Sequence, residues 1–190
     1  MSQNIAIKTH RAVLTPVSDT KPERIKIDDS ARLSEIRKLV EANNRTSLPV
    51  DVIICHIYME SRFDKEAQAQ GSSARGLMQL LRAPVRELYR LENLKKTRAE
   101  RRPEADLYRE ADVLHDSPAL IDEATNIRIG TSYLQALINK RTADHSADPI
   151  AAHKDYRGIR NGIYYAKIKS AADKLVAKPE SMQVLRDMFK

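Results

Sequence analysis

Between Ser117 and Lys140 the chain reads SPALIDEATNIRIGTSYLQALINK, and Leu120, Ala124, Ile127, Thr131, Leu134 and Ile138 recur at gaps alternating between four and three residues. That spacing puts all six on one face of a long helix, which can be stable only if other elements cover it. Gly130 on the same stretch predicts a close neighbour. Composition points the same way: five glycines, two phenylalanines and no tryptophan are too few turn residues and aromatics for a β-sandwich. The expected fold is mostly α, with little or no β.

Other stretches follow the same period. In DDSARLSEIRKLVEANN the residues Leu33, Ile36, Leu39 and Val40 form an apolar stripe, with Asp29 or Ser30 as N-cap and Asn43 or Asn44 as exit. A second helix opens near Ser47 and Pro49, runs to about Arg62, and presents Val50, Ile53, Ile54 and Ile57 on one face. APVRELYRLENLKK and EADLYREADVLH predict two more, joined by the solvated KKTRAERRPEA. Pro149 opens another through IAAHKDY, Tyr164, Ile168, Ala171 and Leu175 share a face of the next, and ESMQVLRDMF forms a short last helix. Residues 1–28 read as an N-terminal arm or leader, and 29–190 as one domain.

The formal charge of +7 favours anionic partners, among them nucleic acid, an acidic membrane surface or bacterial cell wall. The basic residues are scattered and carry no recognition motif, so no specific nucleic acid is expected. No stretch approaches the length of a membrane span, and the N-terminus lacks the apolar core of a secretory signal, which predicts synthesis in the cytoplasm. Cys55, alone in the chain and flanked by Ile54 and His56, reads as a packed small residue. With no phosphate-binding glycine loop and no Cys/His spacing suited to a metal, neither a cofactor nor a metal is expected.

The chemistry-bearing feature is Glu60. It lies seven residues after Ile53, nearly in line with the apolar stripe, so a helix places its carboxyl where desolvation favours the neutral form. A proton held near neutral pH is what a general acid requires. The same position also suits a structural ion pair with Arg62 or Arg75.

ESRF at Glu60–Phe63, SARGLMQL at Ser73–Leu80 and NIRIGTSYLQALI at Asn126–Ile138 follow one another in an order that resembles the soluble lytic transglycosylase family. The resemblance spans roughly residues 48 to 170. It implies a lysozyme-like helical domain with a substrate groove, and makes Glu60 the acid/base that cleaves peptidoglycan between N-acetylmuramic acid and N-acetylglucosamine. By the same resemblance Met78 and Gln79 line the sugar groove, Ser61 supports the catalytic helix, and Ser73 or Ser72 stands in for a turn serine displaced by Ala69 or Gln70. Glu60 and Gly76 lie one residue further apart than in the family pattern. Where the family carries a tyrosine that hydrogen-bonds the acid, AAHKDYRG has His153, which leaves His153 or Tyr156 as the expected donor. Asp64, Glu66, Glu87 and Asp155 are the carboxylates open to a second role.

A transglycosylase needs only one such glutamate, whereas a hydrolysing muramidase normally uses a second carboxylate. A non-catalytic wall-binding protein of a secretion or phage machine is the remaining reading. Acting on peptidoglycan without a signal peptide implies a dedicated export route to the periplasm and wall, such as a type VI system or phage lysis machinery. An antibacterial effector of that kind implies an immunity protein as partner.

Overall fold

The structure is a computed structural model that describes residues 29–68, 71–143, 149–158 and 163–190, with the side chains of 149 and 150 left aside. The arm expected over residues 1–28 lies outside the described residues. Among those described there are eight α-helices: α1 (Ser30–Asn43), α2 (Val50–Ser61), α3 (Arg82–Leu94), α4 (Glu104–Asp116), α5 (Glu123–Ala143), α6 (Pro149–Arg157), α7 (Ile163–Ala177) and α8 (Met182–Arg186). Extended pairing among them is limited to two isolated antiparallel bridges, Gln68 with Arg75 and Arg75 with Leu80.

The second helix is the centre of the molecule. Every residue from Val52 to Tyr58 is buried, so α2 is enclosed on all sides and not on the single face its apolar stripe suggested. It packs against α1 and α7, while α5 touches α1, α3 and α6. Cys55 sits fully buried in this core, where desolvation pushes its thiol up to about 12 and leaves it inert. Ser47 does not cap α2; its backbone N–H donates to Gln135 Oε1 on α5, and Pro49 takes the cap position.

α3 and α4 form an antiparallel hairpin whose register is marked by Arg82–Asp116 at 2.7 Å and Arg86–Asp112 at 2.5 Å. These pairs are substantially exposed, so they fix alignment more than they stabilise. The long helix starts later than its periodicity implies. Pro118–Leu120 form a 3-10 turn and Asp122 Oδ1 accepts the Thr125 N–H at 2.9 Å, so the α-helix begins at Glu123. Leu120 is nevertheless fully buried, together with Ile127, Thr131 and Leu134.

Candidate active site

Glu60 occupies the last turn of α2, and the chain reverses immediately after it. Arg62 and Phe63 both have positive φ, +53° and +68°. Left-handed backbone costs a non-glycine residue roughly 1–2 kcal/mol, so neighbouring contacts must hold the reversal in place. Ser61 Oγ donates to the Ile57 carbonyl at 3.2 Å and Asp64 N–H to the Ser61 carbonyl at 3.0 Å. Phe63 is buried edge-on against Tyr58, with ring centroids 5.0 Å apart. From α1, Arg32 donates to the Phe63 carbonyl at 2.9 Å and pairs with Glu123 at the start of α5. Three helices thus converge on the residues that follow the acid.

The carboxyl itself is half-buried and receives a hydrogen bond from the Tyr164 hydroxyl on α7. Burial holds its pKa above the ordinary glutamate value, opposed by the Tyr164 hydrogen bond and by the charge of Arg157. The C-terminal end of a helix is also a poor place for a negative charge. Arg157 lies 4.5 Å from the centroid of the Tyr164 ring, so the donor is held between the acid and a cation. The phenol remains protonated, its own pKa raised by burial and by the neighbouring Glu60. Neither arginine expected as an ion partner fills that role: Arg62 lies over Phe189, and Arg75 donates to the His115 carbonyl.

The donor to Glu60 is therefore neither His153 nor Tyr156. The Tyr156 hydroxyl donates a hydrogen bond to the Met78 carbonyl at 2.8 Å. His153 is fully buried, with its ring against His56 at 5.3 Å and Tyr165 at 4.7 Å between centroids. The physical reason is the placement of α7 against α2, which brings its first turn to the carboxyl and leaves α6 to face His56 and the Met78 turn. Periodicity assigns Tyr164 only to the buried face of its helix, where it is 6% exposed.

Opposite the end of α2 lies the turn of residues 71–80, held by α5. Asn126, fully buried, accepts the Met78 N–H through Oδ1 at 2.8 Å and donates through Nδ2 to the Leu120 carbonyl at 3.0 Å. Gly76 has φ +76°, and a Cβ there would stand 2.3 Å from Asn126 Nδ2. One helical turn on, a Cβ at Gly130 would meet Met78 Sδ at 2.4 Å, the close approach that its place on the helix predicted. The Met78 thioether is consequently buried in the core, so its side chain does not line an open groove. Gln79, at φ +46°, donates to the Ala67 and Gly76 carbonyls at 2.8 and 2.9 Å and braces the same turn.

Ser73 is half-buried, and its carbonyl accepts from His115 Nε2 at 2.9 Å. The same nitrogen donates to the Leu80 carbonyl at 3.1 Å. His115 thus clasps both ends of the turn from α4, a role no local sequence signal announces.

The four other candidate carboxylates, Asp64, Glu66, Glu87 and Asp155, are occupied or exposed. Asp155 makes a bidentate pair with Arg141, and Glu87 with Arg90. Asp64 Oδ1 accepts the Glu66 N–H at 2.9 Å, and both side chains face solvent. An apolar cavity of about 340 Å³ under the α3–α4 hairpin is lined by Val85, Tyr89, Leu107 and Ile129 and not by Glu60. A larger cleft of about 640 Å³ runs between α3 and α5 as far as Tyr133, whose ring packs 5.6 Å from that of Tyr156. Its rim carries Arg86, Arg90 and Lys140 against one acid, Glu87.

Comparison with curated proteins and with solved structures finds no match to the chain. The family model for the transglycosylase SLT domain matches residues 39–161, which contain Glu60, the Gly76–Gln79 turn and the Asn126–Gly130 face of α5. With most of its length matched, and with the helical architecture of a lysozyme-like domain, the chain belongs to the soluble lytic transglycosylase family.

Proposed function

We propose that the protein cleaves peptidoglycan glycan strands at the bond between N-acetylmuramic acid and N-acetylglucosamine by a transglycosylase mechanism, with Glu60 as its single acid/base. The observation that carries this reading is the environment of Glu60. Burial raises its pKa above the ordinary glutamate value, against the opposing pull of the Tyr164 hydrogen bond and the Arg157 charge, which is the direction a proton donor to the glycosidic oxygen requires.

In the first step the Glu60 carboxyl gives its proton to the glycosidic oxygen as the bond to the muramyl C1 breaks. In the second, the carboxylate takes the proton of the muramyl C6 hydroxyl as that oxygen bonds to C1, closing a 1,6-anhydro ring. Glu60 ends protonated, as it began, and no water is consumed. The engagement of Asp155 and Glu87 in arginine pairs supports a mechanism without a second carboxylate. Ser61, Met78, Gln79 and Tyr156 act in this reading by fixing the backbone that the glycan meets, and His153 lies behind it.

The proposal extends to the site of action. Peptidoglycan as substrate requires a route out of the cytoplasm, and a contact-dependent secretion or phage lysis system with a cognate immunity protein fits a basic wall-cleaving chain. Glu60→Gln is expected to lower lysis of purified sacculi by about 10²–10⁴-fold with the fold retained by circular dichroism. Undiminished lysis by that variant refutes the assignment. Mass spectrometry of the released fragments separates the mechanisms: anhydro ends are expected, and reducing ends alone would mean hydrolysis.

A further inference from the structure

Behind the acid lies a group for which the mechanism has no use. His56 is four residues before Glu60 on α2, on the same side of the helix, and is fully buried. Neither of its ring nitrogens has a hydrogen-bond partner among the described residues. An imidazole without partners in a dry core is costly, and a leucine or valine would fill such a place more cheaply.

What the ring does have is aromatic neighbours. It meets Tyr156 at 4.7 Å between centroids and 88° between planes, and Tyr164 at 6.0 Å and 85°, both edge-to-face. His153 closes a third side at 5.3 Å. The two tyrosines are those whose hydroxyls define the site: Tyr164 on Glu60, and Tyr156 on the Met78 carbonyl. One imidazole therefore touches both the donor to the acid and the donor to the opposing turn.

We propose that His56 is the positioning residue of this site, an aromatic wedge that sets the ring of Tyr164 so that its hydroxyl stays on Glu60 while keeping Tyr156 on Met78. It acts through the tyrosines and does not touch substrate. The wedge works as a neutral ring, because burial and the neighbouring His153 and Arg157 all oppose its protonation. The charged and titratable groups around it are Glu60 on its own helix, His153, Tyr156 and Arg157 on α6, and Tyr164 on α7. This role rests on Glu60 as the acid, but its structural consequence can be read without turnover.

The test follows the Glu60 side-chain carboxyl by carbon-13 NMR as pH is varied in the intact protein. His56→Leu keeps the volume and removes the aromatic edge, so Tyr164 loosens and the Glu60 midpoint is expected to rise by about half a unit or more. Tyr164→Phe is expected to raise it at least as far, and the double variant no further than Tyr164→Phe alone, because both act on one hydrogen bond. His56→Phe restores the edge contacts and is expected to bring the midpoint back towards that of the wild type.

A wild-type midpoint in His56→Leu overturns the proposal, as does a double variant whose shift is the sum of the two. A His56→Phe midpoint displaced as far as that of His56→Leu would show that aromatic packing is not the cause. Lysis assays on the same variants keep the two ideas apart. An active Glu60→Gln rejects the acid, whereas an unmoved midpoint in His56→Leu beside an inactive Glu60→Gln rejects only the wedge.

Discussion

In the proposed mechanism, a half-buried carboxyl with one phenol on it and one guanidinium behind that phenol keeps a proton transferable. Each group pulls in a stated direction, which makes single substitutions informative. Tyr164→Phe removes the hydrogen bond that stabilises the charged form, so the pKa of Glu60 rises further and the alkaline limb of the activity profile moves to higher pH. Loss of the bond also frees the carboxyl to rotate, and a net hydrogen bond of about 1–1.5 kcal/mol corresponds to roughly a tenfold loss of kcat/KM at the optimum. Initial rates on sacculi between pH 5 and 9 check both effects; an alkaline limb moving to lower pH would contradict the role given to the phenol.

At the scale of elements, the site is the contact of a helix end with a turn, and α5 is the clamp. Gly76→Ala introduces a Cβ at positive φ against Asn126, where neither the backbone nor the buried amide has room to give way. It is expected to cost about 3 kcal/mol or more, and Asn126→Ala, which strands the Met78 N–H, about 1–3 kcal/mol. Urea midpoints measure both, and a Gly76→Ala protein as stable as the wild type would mean that the turn is held otherwise. The helices were legible because their faces repeat: Leu33, Ile36 and Val40, or Tyr164, Ile168, Ala171 and Leu175, are buried as their spacing required. Glu60, as the half-buried end of its helix, was legible because its register and the following Ser-Arg-Phe are local. Its donor was not, since Tyr164 stands 104 residues away and is identified only by how α7 lies on α2. His115 and Arg32 are likewise long-range clasps, 42 residues from Ser73 and 31 from Phe63.

For the whole molecule, the working unit is longer than the stretch the family model matches. That match ends at residue 161, three residues before Tyr164. α7, α8 and the 3-10 turn Asp187–Phe189 that follows contribute the buried Ile168, Leu175, Met182, Leu185 and Met188 to the same core as α2. A fragment limited to residues 39–161 is expected to lack cooperative unfolding and to be inactive on sacculi, whereas residues 29–190 should show a single thermal transition. Arg157 meanwhile sits on the surface, and the chain as a whole carries +7. The Arg157 charge reaches Glu60 partly through water, where a Debye length of about 10 Å at 0.1 M salt weakens it. If Glu60 is the acid proposed above, ionic strength is expected to tune it: as salt rises, the carboxylate loses its cationic support and the alkaline limb should drift upwards, while Arg157→Gln should start higher and drift less. On that proposal the working pH is set partly by the electrolyte in which the protein meets the wall.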